Sequence, residues 1–194
     1  MTSQKAGFHT EKHWRRSIRL RGYDYSSEGA YFVTICTQNR KLLLGEVVAD
    51  EMVLSEYGRV IAECWDDLPR HYPHVELDAF MIMPNHVHGI IVLNDVGAQF
   101  IAPNYQGVMN HAPTLGEIIR TFKAMSTRLI RKTDQGTINR APTEFGWQRN
   151  YYEHIIRNED ELNRIRQYII DNPARWSEDE ENPEICRGRP MCLP

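Results

Sequence analysis

Residues 80–93 read FMIMPNHVHGIIVL, two apolar runs that are separated by the dipeptide Pro84-Asn85. Apolar runs of this length predict strands, and a Pro-Asn break predicts the turn of a hairpin between them. Positions after His88 are apolar in both the even and the odd register, so both faces of the second strand, 86–93, are expected to be covered. This hairpin therefore predicts the centre of a β-sheet.

Two histidines open the second strand of this hairpin. Residues two apart on a strand face the same side, roughly 6.6–7 Å apart, so the imidazoles of His86 and His88 can converge on one metal ion. The spacing fits equally two hydrogen-bonded histidines at a strand end, and both interpretations stay open here. Two nitrogens and one oxygen ligand would suit Mg²⁺ or Mn²⁺ on a phosphate better than a closed zinc site. The candidates for a third ligand are His111, Glu153, His154, Asp171 and Asn172.

Further strands and helices are predicted on both sides of the hairpin. The strands are expected over 30–38, 42–48, 75–83, 86–93 and 147–156, and the helices over 54–68, 114–132 and 159–171. The order β-β-α-β-β-α-β-α predicts an α+β fold in which one antiparallel sheet is covered by helices on one face. A ferredoxin-like or RRM-like sandwich is the simplest such arrangement.

Length and composition narrow the class of protein. The 194 residues correspond to one domain. No apolar run approaches the ~18–20 residues that span a bilayer, and the first residues contain no apolar core of a secretory signal. The four cysteines form no closely spaced pair, so we expect reduced thiols in a cytoplasmic protein.

The distribution of charged residues along the chain is more informative than the net charge of −3. Residues 1–29 are expected to form a basic arm, 30–173 the folded domain and 174–194 an acidic flexible tail. Local basic stripes bind phosphates, although such residues can equally form a solvated surface. The candidate nucleic-acid-binding residues of the arm and of the helix 114–132 are Arg15, Arg16, Arg19, Arg21, Arg120, Lys123 and Arg128.

The final predicted helix carries a second candidate site. Tyr168 and Asn172 are i, i+4 neighbours on one helix face, and Pro173 ends the helix beside them. A phenol is a poor nucleophile unless the attacked centre is activated, and a metal ion that holds a phosphate provides that activation. Two alternatives stay open: Tyr168 can be an aromatic that packs on the sheet, and Tyr151-Tyr152 is a rival pair of nucleophiles.

Taken together, five segments resemble a known family. They are RRSIRLRGYDY, AYFVTICTQNR, FMIMPNHVHGIIVL, WQRNYYEHIIRNEDEL and RIRQYIIDNPARW, which extend from about Arg15 to Trp176. The chain resembles the HUH single-tyrosine transposases of the IS200 type, and most of all the REP-associated tyrosine transposases. The ordered pair of His-x-His after Pro-Asn and Tyr-x-x-x-Asn-Pro at a helix end makes the resemblance specific.

The resemblance implies a ferredoxin-like fold with a five-stranded sheet and a final helix that carries the nucleophile, Tyr168. It implies that His86 and His88 bind a divalent ion, Mg²⁺ or Mn²⁺, with Asn172 where insertion-sequence relatives have Gln. The implied activity is cleavage and joining of single-stranded DNA at hairpin sequences through a 5′-phosphotyrosine link, without ATP and by a monomer. Two other functions are considered beside it: a domesticated hairpin-binding protein that does not cut, and a hydrolase in which a metal-bound water attacks.

Overall fold

The computed structural model describes residues 22–94, 113–135, 145–179 and 181–183. The strands are β1 (Gly29–Cys36), β2 (Gly45–Val48), β3 (Glu51–Leu54), β4 (Val75–Ile82), β5 (His86–Leu93) and β6 (Tyr152–Ile156). The helices are α1 (Glu56–Asp66), the single turn α2 (Leu68–His71), α3 (Leu115–Gln135) and α4 (Glu159–Asp171), with 3₁₀ helices at Gln38–Arg40 and Pro173–Glu178. In the described part of the chain, none of the helices combines the length and apolar character needed to cross a membrane.

The main sheet has the strand order β4-β5-β1-β6, and all neighbouring strands are antiparallel. Its strands alternate with helices as β1-α1-β4-β5-α3-β6, which is the βαββαβ pattern of ferredoxin-like folds. The predicted α+β ferredoxin-like class is confirmed, and so is the inner position of β5. Tyr168 lies on the final helix, α4, as expected.

The prediction of a five-stranded sheet is wrong in the strand count. The segment 42–48 contributes only β2, which pairs with β3 in a separate two-stranded sheet. Ala49 and Asp50 form the turn between these strands with φ values of 50° and 64°. Turns with two positive φ values favour Asn, Asp or Gly. An Ala-Asp pair is a weak hairpin signal, so the sequence pattern did not reveal β3.

Helices cover both faces of the sheet, not one face as predicted. α1 and α3 pack on the face that carries odd-numbered side chains of β5, such as Ile91. α4 packs on the opposite face, where Ile169 lies in the same cluster as Ile90. Because side chains alternate along a strand, His86 and His88 lie on the α4 face with Ile90. The final helix is therefore on the same side of the sheet as the two histidines.

Close packing on the α1 face requires a glycine within β5. A Cβ atom at Gly89 would overlap the indole ring of Trp65. Trp65 is fully buried and stacks on Phe80 with ring centroids 4.4 Å apart. This tight packing holds β5, and with it the neighbouring His88, in a defined position against α1.

Helix capping supports the predicted starts of α1 and α3. The Ser55 hydroxyl accepts a hydrogen bond from the Gly58 N–H at 3.1 Å, so Ser55 caps α1. Thr114 and Glu117 form a reciprocal capping box, in which the Thr114 N–H donates to the Glu117 carboxylate at 2.8 Å. Both caps lie within one or two residues of the starts of the helices predicted over 54–68 and 114–132.

The charge pattern assigns 174–194 to a flexible tail, but the residues after α4 that the structure describes, 173–179 and 181–183, pack on the domain. The 3₁₀ helix Pro173–Glu178 continues directly from α4. The Trp176 ring lies 6.1 Å from the His86 ring, and Arg40 forms an ion pair with Glu181 at 2.8 Å. We call residues 176–179 and 181–182 the C-terminal strap. Local contacts with the domain therefore outweigh the repulsion among its acidic side chains.

Candidate active site

The two histidines converge at the start of β5. The Nε2 atoms of His86 and His88 are 3.0 Å apart, a hydrogen bond between the two imidazoles, and the two residues are 0% and 3% exposed. Two nitrogens bound at ~2.1 Å to one ion and at right angles to each other would be about 3.0 Å apart. The pair therefore has the separation that two ligands of one octahedral ion require.

Burial keeps both imidazoles neutral. It lowers the pKa of His88 to about 3. Burial, together with the neighbouring His88 and Arg40, holds the pKa of His86 well below its ordinary value. A neutral imidazole can offer a lone pair to a metal ion, whereas an imidazolium cannot.

Hydrogen bonds to the other ring nitrogens set the orientation of the two imidazoles. The Asn85 amide donates to the backbone oxygens of Arg40 and Glu181, which identifies its Oδ1 as the acceptor of a 2.8 Å bond from His86 Nδ1. His86 Nε2 therefore carries a lone pair. His88 Nδ1 lies 2.9 Å from the Thr34 hydroxyl, which can accept or donate a proton as the imidazole requires. Such partners are typical of metal-binding histidines.

Two side-chain oxygens in or beside the cleft of His88 are candidates to complete a metal site. Asp179 Oδ2 is 3.9 Å from His86 Nε2, and His86, His88 and Asp179 form a group that could hold a metal ion. Asn172 is 2% exposed, and its Oδ1 atom has no hydrogen-bond partner among the described residues. A buried carbonyl oxygen without a partner is costly unless a ligand satisfies it. The residues present therefore fit a divalent ion.

The other candidate ligands that the structure describes, His154, Glu153 and Asp171, do not join this group. His154 Nε2 bonds the Glu161 carboxylate at 2.8 Å, away from the histidine pair. Glu153 is paired with Val33, on the opposite face of the sheet. Asp171 accepts a hydrogen bond from Gln167 on the surface of α4. His111 lies outside the described residues.

Tyr168 faces the histidine pair and is not buried in the core. Its ring is 5.3 Å from the His88 ring and 6.1 Å from the Phe32 ring, with edge-to-face geometry in both contacts. The side chain is 40% exposed. Ile169 holds the helix α4 against the sheet. The preceding residue, Tyr168, lines the cleft.

The rings of the two rival tyrosines, Tyr151 and Tyr152, pack on opposite faces of the sheet. Tyr151 belongs to the partly buried set on the α3 side, with the Lys123 ammonium 5.4 Å above its ring. Tyr152 is exposed on the α4 side and meets the Phe32 ring edge-to-face at 6.2 Å. Only Tyr168 of these three has a ring contact with His88 among the described residues.

A cleft of about 700 Å³ joins these groups. Aromatic rings form one wall, polar side chains form its rim, and the C-terminal strap borders its far side. Its lining includes Phe32, Thr34, His88, Gln148, Asn150, Tyr151, Tyr152, Tyr168, Asn172, Arg175 and Asp179. A cleft of this size and mixed lining fits a ligand with both flat apolar and charged parts.

A basic groove of about 870 Å³ runs along α3 on the other side of the 145–150 segment. Arg120 and Arg128 are exposed in this groove, as a role in phosphate binding requires. Lys123 also lines the groove but is less exposed, and its ammonium donates to the backbone oxygens of Gln148 and Asn150 at 2.9 and 3.0 Å. Burial lowers the pKa of Lys123 to about 8. Lys123 thus supports the segment between groove and cleft, and the arm residues Arg15, Arg16, Arg19 and Arg21 lie outside the described residues.

Three residues of the site carry no strong sequence signal. Pro84-Asn85 indicates only a turn, yet Asn85 orients His86. Thr34 is one polar residue of an apolar strand, and its partner lies 54 positions away. Asp179 is one acid of an acidic segment. The adjacency of Asn85 to the His-x-His motif is the only local feature that points to any of them.

Comparison with known proteins agrees with this fold. No protein-family model matches the chain. An uncharacterized protein of Haemophilus influenzae is 40% identical over 174 residues, which are 87% of this chain and 93% of that protein. A second protein of the same organism, provisionally named as a REP-associated tyrosine transposase, is 27% identical over 78% of this chain and 74% of its own length. The solved structure of a REP-associated tyrosine transposase bound to a REP hairpin superposes with a TM-score of 0.54 and 20% identity, over 89% of this chain and 87% of that one.

The fold is therefore that of a REP-associated tyrosine transposase. The chain belongs to the same family as the first of these Haemophilus influenzae proteins. The resemblance to REP-associated tyrosine transposases that the sequence motifs indicate is confirmed by the fold and by the second relative.

Proposed function

We propose that this chain is a metal-dependent enzyme that cuts and rejoins single-stranded DNA at hairpin sequences, with Tyr168 as its nucleophile. The observation that carries the proposal is the contact between the Tyr168 and His88 rings, 5.3 Å apart in one cleft. The substrate class comes from the similar transposase whose structure contains a REP hairpin. Action as a cytoplasmic monomer stays a prediction.

His86, His88 and Asn172 are the residues that we expect to hold the divalent ion, Mg²⁺ or Mn²⁺. The convergence of the two Nε2 atoms and the buried Asn172 Oδ1 support this assignment. Asp179 is a further ligand candidate at 3.9 Å from His86. When bound, the ion would polarise the phosphoryl oxygens of the scissile linkage and stabilise the charge that develops on them.

The reaction replaces one phosphodiester bond by another. The Tyr168 Oη atom attacks phosphorus and loses its proton to solvent, while the bond from phosphorus to the 3′ oxygen breaks. The 3′ oxygen takes up a proton and leaves as a hydroxyl, and the 5′-phosphate stays on Tyr168. Because the phosphodiester bond is conserved, a 3′-hydroxyl can later attack the phosphotyrosine and rejoin the strand without ATP.

The basic groove is the expected binding surface for the DNA backbone outside the cleft. Arg120 and Arg128 are exposed there, and Gln148 lines both the groove and the cleft. Phosphate contacts from such arginines position a nucleic acid without reading its sequence. The arm residues Arg15, Arg16, Arg19 and Arg21 are proposed to extend this surface.

Covalent capture tests the proposal directly. The probe is a DNA hairpin with randomised single-stranded flanks and a 3′-end label, incubated with the protein and Mn²⁺. We expect a slow-migrating labelled protein–DNA species on a denaturing gel. Tyr168→Phe should abolish it, whereas Tyr151→Phe should not, because the Tyr151 ring, although at the border of the cleft, packs on the α3 side beneath Lys123. A free labelled strand with a 5′-phosphate would instead indicate hydrolysis by water.

A hairpin-binding protein that does not cut is the second candidate function. The observation in its favour is the coverage of the histidine pair: His86 is fully buried, and Trp176 and Asp179 of the C-terminal strap lie over it. Tight binding of the hairpin by the parent and by Tyr168→Phe, with no covalent species from either at any Mn²⁺ concentration, would favour this function.

A further inference from the structure

Tyr152 faces the candidate cleft, yet no step of the proposed cleavage uses it. We propose that Tyr152 is a stacking platform for an unpaired nucleobase beside the scissile phosphate. This inference rests on the proposed function, because it assigns a subsite within the same cleft. Four features of the structure support it.

The first feature is the position of Tyr152 relative to the metal-binding histidines. In the sheet, Thr34 is paired with His88 on one side and with Tyr152 on the other. Neighbouring strands are ~4.8 Å apart, so the backbones at His88 and Tyr152 are separated by about 10 Å. A phosphate at the histidine pair would therefore have room for its own or the adjacent base over Tyr152.

The second feature is the support of the ring from below. Tyr152 is 45% exposed, and its inner edge contacts the Phe32 ring at 6.2 Å with an interplanar angle of 68°. Phe32 also contacts the Tyr168 ring, at 6.1 Å and 82°. One buried aromatic therefore orients both tyrosines, and a base can stack on a ring that is already held in place.

The third feature is the chemistry around Tyr152. Gln148 and Asn150 line the same cleft and carry amides, which can donate to and accept from the edge of a base. Exposed Arg175 lines the cleft as well and offers a cation to a phosphate. Aromatic faces with amide and cationic neighbours are the usual means by which proteins bind single-stranded nucleic acid.

The fourth feature is that β6 is an edge strand. It pairs only with β1 in the main sheet, so Tyr152 lies at the open side of the sheet. The ring of its neighbour Tyr151 packs on the α3-side cluster, where the Lys123 ammonium lies 5.4 Å from it. Single-stranded DNA can thus approach the Tyr152 ring from the edge of the sheet without displacing α4.

The test measures binding of single-stranded DNA without metal, so that it does not depend on cleavage. The probe is a 14-nucleotide strand of alternating 2-aminopurine and thymine, whose fluorescence falls when a base stacks on an aromatic ring. Tyr152→Phe retains the ring, and Tyr152→Leu retains apolar bulk without an aromatic face. The control is Ile170→Ala, a change at an exposed apolar residue of α4 that does not line the cleft.

We expect the parent, Tyr152→Phe and Ile170→Ala to bind the probe equally and to quench it. Tyr152→Leu should bind about 5- to 150-fold more weakly, the range for loss of one base-stacking contact, with little quenching. Thermal unfolding of each variant establishes that the domain is folded. Equal affinity and quenching for Tyr152→Leu and the parent would overturn the inference, as would equal loss in Tyr152→Phe, which would assign the effect to the hydroxyl.

The same variants separate this inference from the proposed function. In the hairpin assay with Mn²⁺, Tyr152→Phe should still form the covalent species, because Tyr168 supplies the attacking oxygen. Loss of that species in Tyr152→Phe but not in Tyr168→Phe would assign the nucleophile to Tyr152 and overturn both proposals. If the probe is quenched as expected but no protein forms the covalent species, the proposed cleavage activity is contradicted and the stacking inference is not.

Discussion

Arg166 and Asp78 join the final helix to the edge strand β4. The guanidinium donates from Nε to Asp78 Oδ1 at 2.8 Å and from Nη2 to Asp78 Oδ2 at 2.6 Å. The two parallel bonds define the rotation of α4 as well as its position. Because α4 carries Tyr168 and Asn172, this ion pair on the far side of the helix helps to orient the candidate site.

The Arg166–Asp78 pair predicts an acid-dependent stability. The hydrogen bond from Arg166 lowers the pKa of Asp78. A carboxyl whose pKa is lower in the folded state contributes stability above its unfolded pKa, ~3.9, and loses it as the pH falls through the folded pKa. Asp78→Asn should therefore unfold at lower urea concentration than the parent at pH 6, and the difference should shrink below about pH 4. The exposed Asp66→Asn is the control, and a difference that persists unchanged at acid pH would contradict the prediction.

The metal site predicts a thermal shift upon addition of Mn²⁺. An ion that binds only the folded state stabilises it by about 2.7 kcal/mol at a concentration 100-fold above its Kd. Asn172→Ala should raise the Mn²⁺ concentration required for that shift about tenfold or more, while Asp171→Asn should leave it unchanged, because Asp171 bonds only Gln167 among the described residues. Asp179→Ala in parallel decides which oxygen donor matters more. A full shift in His88→Ala would contradict the proposed site.

The close packing at Gly89 predicts that one added methyl group lowers the free energy of unfolding strongly. Gly89→Ala would force the Trp65 indole away from its stacked position on Phe80. Overpacking of this kind costs about 1–3 kcal/mol of the free energy of unfolding. Gly146→Ala is the matched control, since its Cβ would meet only Gln38 at an ordinary 3.7 Å, and we expect a change within about 0.5 kcal/mol. Equal stabilities of the two variants in urea would show that the Trp65 packing is not restrictive.

The hydrogen bonds of Lys123 link α3 to the rim of the cleft, so we expect their loss to affect both stability and DNA binding. Lys123→Met would leave the carbonyl oxygens of Gln148 and Asn150 without their donor, at a cost of about 1–3 kcal/mol. It should also weaken binding of single-stranded DNA, because the segment 148–150 borders the cleft. The exposed Lys132→Met removes the same charge from the groove without this support, so it should affect DNA binding only through salt-dependent attraction. If both variants have the same stability and the same salt dependence, Lys123 is an ordinary surface lysine.

Local patterns were sufficient to predict the βαββαβ framework and the inner strand His86–Leu93. Apolar alternation and the caps at Ser55 and Thr114 depend on neighbouring residues, so they can be recognised in the sequence. The β2–β3 hairpin could not be predicted, because its turn uses Ala49 and Asp50 at positive φ values that other contacts must stabilise.

The sequence alone established the chemistry of the candidate site: two imidazoles two residues apart on a strand, and a phenol and an amide four residues apart on a helix. Which face of the sheet α4 covers, and therefore whether Tyr168 meets His88, was decided only by the tertiary structure. So were the hydrogen bonds by which Lys123 supports the 148–150 segment, and the position of Asp179 beside His86. These relationships join residues from separate elements, often far apart in the chain, and they arise only when burial of apolar surface has packed the helices and the strap against the sheet.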